Sequence, residues 1–84
     1  MKQVLETIYD KRNSFYNKAM IEHKGNILKL YSYNTLVAEI KENKAFVYGT
    51  YSPTTLRHIK EFLKQNGFTA ENKKQIEKDY IKED

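Results

Sequence analysis

Hydrophobic positions change their spacing twice along this chain. In residues 1–13, Val4, Leu5, Ile8 and Tyr9 share one helical face, with Lys2, Gln3, Glu6, Thr7 and Asp10 opposite. A short helix is the favoured reading there, and an extended segment is the alternative. From Phe15 to Tyr51 the spacing shortens to two, β-branched and aromatic residues dominate, and turn signals recur about every ten residues. Strands are expected near Lys18–His23, Ile27–Tyr33, Leu36–Lys41 and Ala45–Tyr51. The turns between them fall at Lys24-Gly25-Asn26, Asn34-Thr35 and Glu42-Asn43-Lys44. Gly25 supplies the positive φ that a tight hairpin needs. Three short connections in succession make an antiparallel meander.

The spacing then lengthens to that of a helix. Ser52 is a good N-cap and Pro53 suits the first helical position, where a missing N–H costs nothing. Leu56, Ile59, Phe62 and Leu63 form the apolar stripe. Gly67 follows as a left-handed residue after the C-cap, with Phe68 folding back in a Schellman motif. A main helix over residues 53–66 is therefore expected. Thr69 is the expected cap of a last helix over about residues 70–82, with Ile76, Tyr80 and Ile81 as its few apolar contacts. So sparse a stripe predicts a peripheral element.

The predicted architecture is α+β: a four-stranded antiparallel meander sheet, the 53–66 helix across one face, and a peripheral C-terminal helix. It is a single domain over residues 1–84, with a sheet-plus-helix core at 14–68. Alternation places Ala19, Ile21, Leu28, Leu30, Leu36, Ala38, Ile40, Ala45 and Val47 towards the helix. The other face then carries Met20, Lys29, Tyr31, Tyr33, Glu39, Lys41, Phe46 and Tyr48. A bulge at Gly49 would alter part of this assignment.

Composition narrows the chemistry. No cysteine is present, which excludes disulfides, thiolate nucleophiles and zinc–thiolate sites. The first residues lack the apolar run of a signal peptide, and no stretch approaches the ~20 apolar residues of a membrane span. A cytoplasmic protein with no membrane contact is the expectation. The core available to 84 residues is small, so the domain is expected either as a monomer or as a homodimer. The net charge of +4 is uneven: through Phe68 there are eleven Lys or Arg against six Asp or Glu, and beyond it four against five. A basic body of this kind suits a polyanionic partner, although lysine also serves plain solvation.

Catalytic patterns are missing. There is no glycine-rich phosphate loop, His-Glu-x-x-His pattern or acidic calcium loop. His23 and His58 are far apart, and His58, next to Arg57, is expected on the solvent side of its helix. Ser14, Ser32 and Ser52 have no visible base partner. The expectation is a binding protein, not an enzyme, that uses no metal or other cofactor.

Aromatic content points to binding. Seven Tyr and four Phe accompany no Trp. Tyr31, Tyr33, Phe46 and Tyr48 beside Lys29 and Lys41 resemble a stacking platform with cationic flanks, the arrangement that holds single strands. Such a face also suits cover by another segment or a second subunit. Arg57, Lys60 and Lys64 share one helix flank, and Lys11, Arg12 and Lys18 add charge near the start of the sheet.

Three runs carry a family resemblance: Ser14-Phe15-Tyr16-Asn17-Lys18-Ala19, Leu30-Tyr31-Ser32-Tyr33-Asn34-Thr35, and Tyr51-Ser52-Pro53-Thr54-Thr55-Leu56-Arg57-His58-Ile59-Lys60-Glu61-Phe62-Leu63 with Asn66-Gly67-Phe68. From Asp10 to Tyr80 the chain resembles a small uncharacterised domain of phage, plasmid and conjugative-element proteins in Gram-positive bacteria. The resemblance implies a mobile-element setting and carries over no functional site. Two functions suit that setting. The first is a nucleic-acid-binding accessory protein meeting DNA or RNA through backbone contacts. The second is an inhibitor that binds a host defence nuclease or effector, as anti-CRISPR proteins do. The contact candidates in either case are Arg12, Lys29, Tyr31, Tyr33, Lys41, Tyr48, Arg57, Lys60 and Lys64.

Overall fold

The computed structural model describes residues 2–12, 14–49 and 51–81. It is α+β, a five-stranded antiparallel sheet with two helices against one face. The strands are β1 (Lys2–Val4), β2 (Ala19–Lys24), β3 (Ile27–Ser32), β4 (Thr35–Lys41) and β5 (Lys44–Val47), in spatial order β1-β2-β3-β4-β5. The expected meander is present with one strand more. Residues 2–4 form no helix but pair with β2, Gln3 opposite Ile21 and Val4 opposite Met20. The helical periodicity of Val4, Leu5, Ile8 and Tyr9 does not hold. Leu5 enters the core, whereas Ile8 and Tyr9 are exposed.

The hairpins are tight because their turns hold left-handed residues. Gly25 has φ 61° between β2 and β3. Tyr33 and Asn34 (φ 52° and 68°) join β3 to β4, and Glu42 and Asn43 (φ 53° and 62°) join β4 to β5. Two successive positive φ angles give the twist that a two-residue hairpin requires.

Core packing fills the helix-side face. Ala19, Leu30, Ala38 and Val47 are buried there, with Ile21, Leu28, Ile40 and Ala45 packed around them. Leu36 departs from the expected alternation. Leu30 pairs with Ala38 but Tyr31 pairs with Leu36, so Val37 is the extra residue of a bulge. Val37 is buried, and Leu36 stands opposite Tyr31 on the other face. The bulge therefore lies in β4 rather than at Gly49.

Helix α1 (Pro53–Gln65) starts as its sequence requires: the Ser52 side chain accepts from the Thr55 N–H at 3.2 Å. It ends in the Schellman pattern, with Gly67 at φ 83° and the Phe68 N–H donating to the Leu63 carbonyl at 2.9 Å. Ile59, Phe62 and Leu63 seat it on the core. His58 is buried beside them, against the expectation that it faces solvent. Helix α2 (Lys73–Tyr80) is capped by Asn72 rather than Thr69, the Gln75 N–H donating to Asn72 Oδ1 at 2.9 Å. It is not merely peripheral. Ile76 and Ala70 are buried in the common core, and α2 packs beside β5.

A buried carboxylate ties the β1–β2 connection to α1. Glu61 accepts hydrogen bonds from the backbone N–H groups of Ile8 (3.0 Å), Tyr9 (3.0 Å) and Asp10 (2.8 Å). Gln65, one turn on, donates to both Glu61 and the Glu6 carbonyl at 2.6 Å. A charged acceptor strengthens each of these bonds, and removing it leaves several donors without their partner. Glu61→Gln is expected to cost about 2 kcal/mol in urea unfolding, with faster hydrogen exchange at residues 8–10. A loss under about 0.5 kcal/mol with unchanged exchange would contradict the clamp.

Candidate functional site

Strand parity and the observed register define the sheet's outer face, opposite the helices. One cross-strand row reads Lys2, Glu22, Lys29, Glu39, Phe46. A second reads Val4, Met20, Tyr31, Leu36, with Tyr48 continuing it beyond β5. The third reads Lys24, Ile27, Lys41, Lys44. Five lysines thus share the face with two glutamates. Lysine collects at the end near the β2–β3 and β4–β5 turns, and aromatic and aliphatic residues collect at the other.

Both glutamates are engaged by tyrosine hydroxyls. Tyr31 donates to Glu22 Oε1 at 3.0 Å, and Tyr48 donates to Glu39. These bonds to carboxylates, with some desolvation, raise both phenol pKa values, that of Tyr48 to about 12. Both hydroxyls therefore stay protonated donors at neutral pH. Lys2 Nζ lies 4.0 Å from the centroid of the Tyr31 ring. Among the described residues the one salt bridge is Arg57–Asp10, so the lysines of this face are not neutralised by direct pairing. Lys41 and Lys44 stand opposite each other across the β4–β5 hairpin, an unfavourable like-charge pair.

The nine sequence candidates divide between surfaces. Lys29, Tyr31, Lys41 and Tyr48 meet on the outer sheet face. Tyr33 does not join them. It lies in the β3–β4 turn, its ring 5.8 Å from that of His58 on the helix side. Arg57, Lys60 and Lys64 line a groove on α1 together with Lys11. Arg12 is exposed in the β1–β2 connection, its N–H donating to Asp10 Oδ1 at 2.9 Å. Sequence reasoning missed Lys2, Lys24 and Lys44. Lys24 and Lys44 obey strand parity but carry turn signals, and Lys2 lies in the segment whose periodicity is helical.

Four exposed tyrosines mark the aromatic end of the sheet: Tyr16, Tyr33, Tyr48 and Tyr51. Tyr16, Tyr33 and Tyr51 have positive φ, which is uncommon for a bulky side chain. Beneath this end lies a polar cluster that the sequence did not reveal. Ser32 Oγ is 2.8 Å from His58 Nδ1 and 2.9 Å from Thr55 Oγ1. Ser32 and His58 have the atoms of a nucleophile–base couple, but they are 2% and 1% exposed. Phe15 packs edge-on to the imidazole at 4.5 Å. The cluster fastens β3 to α1 and presents no open reaction site. Among the described residues no group of three metal-ligating side chains converges, and no helix is long and apolar enough to cross a membrane.

Burial holds the His58 imidazole below its ordinary pKa of 6.5, and the Asp10 charge opposes that shift without cancelling it. The unfolded chain therefore binds the His58 proton first as pH falls. The stability from the neutral ring is fully present above about pH 6.5 and is lost as pH falls towards the folded-state value. Urea melts from pH 8 to pH 5 should show this decline in the wild type and a flatter profile in His58→Gln. Equal slopes in the two proteins would contradict it.

Comparison with known proteins adds a family but no activity. No curated protein and no solved structure matches the chain. A family model matches residues 4–78, from the end of β1 to within α2. By that match the chain belongs to DUF8033, a family of unknown function.

Proposed function

We propose that this protein binds nucleic acid without catalysing a reaction, and that single strands lie across the outer face of the sheet. The observation that carries the reading is the row Lys24, Ile27, Lys41, Lys44, with Lys2 and Lys29 in the adjacent row. Lys41 and Lys44 face each other with no carboxylate in salt-bridge contact among the described residues. A phosphate between them would relieve their repulsion and release counterions. Phe46 lies one row from Lys41 and Lys44, in the row of Lys29, and Tyr31 and Tyr48 lie in the row beyond it, where bases would stack on sequence-tolerant aromatic surface. The mobile-element setting rests on the family resemblance, and an accessory role in such an element fits this mode of binding.

A second reading is favoured by Tyr16, Tyr33 and Tyr51, which are exposed in left-handed backbone. Tyrosine is enriched among the residues that dominate protein interfaces, and strained backbone concentrates at functional sites. Under this reading the tyrosine end docks on a host effector.

Fluorescence anisotropy with labelled single- and double-stranded DNA separates the two. Contact with five lysines predicts a log–log salt slope of about −3.5 for single strands, roughly a hundredfold weakening between 50 and 200 mM salt. Lys41→Glu with Lys44→Glu should weaken binding across sequences and flatten the slope by about 1.4. Unchanged affinity in that double variant would remove the sheet face from the account. No binding at low salt would favour the protein-directed reading.

A further inference from the structure

The groove beside α1 belongs to the helix layer and lies apart from the open sheet face. Its volume is about 430 Å³. One wall is α1 from Pro53 to Lys64, about 16 Å at 1.5 Å per residue. The other wall is the segment Tyr9–Lys11, pinned in place by the Glu61 carboxylate. The groove is therefore formed before any ligand arrives.

Its lining is segregated along the helix axis. Pro53 and Leu56 occupy the half near the start of α1, and Lys60 and Lys64 the half near its end. Tyr9, 57% exposed, stands on the opposite wall with Lys11. The two acids of the lining are already engaged. Asp10 pairs with Arg57 at 3.4 Å and accepts from the Arg12 N–H, and Glu61 holds its three backbone amides. Lys11, Lys60 and Lys64 have no salt-bridge partner among the described residues.

We propose that this groove binds a nucleoside phosphate, its ring against Tyr9 and Leu56 and its phosphoryl oxygens on Lys60 and Lys64. A bare anion would leave the apolar half empty. The volume suits one small molecule, and the exposed tyrosine offers a flat surface to a base. This site is independent of the sheet-face reading, because the residues of the two surfaces do not overlap.

The test is isothermal titration of the full chain with ADP, adenosine, pyrophosphate and a hexaglutamate peptide at low salt. ADP should saturate with a Kd at or below about 1 mM, at least about tenfold tighter than adenosine or pyrophosphate, a difference of about 1.4 kcal/mol. Lys60→Glu with Lys64→Glu should weaken ADP by about tenfold or more, as two phosphate contacts are reversed in charge. Tyr9→Ala should bring ADP down to the level of pyrophosphate. Lys41→Glu with Lys44→Glu should leave ADP binding unchanged, so this site and the sheet face fail or stand separately. Four results would overturn the proposal: no saturation by ADP, pyrophosphate binding as tightly as ADP, full binding in the Lys60/Lys64 variant, or tighter binding of a hexaglutamate peptide.

Discussion

A sheet of five strands in so short a chain has one helical layer to cover it, and that constraint governs the molecule. Helices of 13 and 8 residues seat Ile59, Phe62, Leu63 and Ile76 on the inner face. No described element lies over the outer face, which must satisfy water with its own side chains. Lysine stems and tyrosine rings meet that need, because each combines apolar area with a polar tip. The same side chains that make an uncovered sheet tolerable in water also make it a surface for an anionic, aromatic partner.

Charge placement turns that tolerance into a polarity. Glu22 and Glu39 sit among the lysines, yet the groups they bond are the hydroxyls of Tyr31 and Tyr48. The tyrosines are oriented by these bonds and the lysines remain available. Glu61 plays the opposite part on the other side of the molecule. Its carboxylate is buried and holds the β1–β2 connection against α1. Both exposed cationic surfaces thus depend on carboxylates that are bonded to groups other than the neighbouring lysines.

Much of the fold was legible wherever local chemistry and tertiary demand agree. Ser52, Pro53, Leu56, Ile59 and Gly67 specify α1 because cap, stripe and stop are all local. Gly25 specifies its hairpin for the same reason. The misreadings are long-range in origin. Lys2–Val4 becomes a strand only because β2 offers an edge, and three residues carry too little pattern to reveal that. Leu36 changes face because Val37 is inserted in β4, and alternation alone cannot see a bulge. His58 follows Arg57 and looks solvent-facing, but Ser32, itself bonded to Thr55, satisfies its Nδ1 and allows burial. Of the candidate surface, Lys29, Tyr31, Lys41 and Tyr48 were readable from parity. Lys2, Lys24 and Lys44 required the register.

Backbone and lysine side-chain NMR resonances, followed during titration with a short oligothymidylate, test the central claim most directly. The account predicts saturable shifts at Lys24, Lys29, Lys41, Lys44 and Phe46. Shifts confined to α1, or to Tyr16, Tyr33 and Tyr51, would contradict the claim that the open sheet face is where this protein meets its partner.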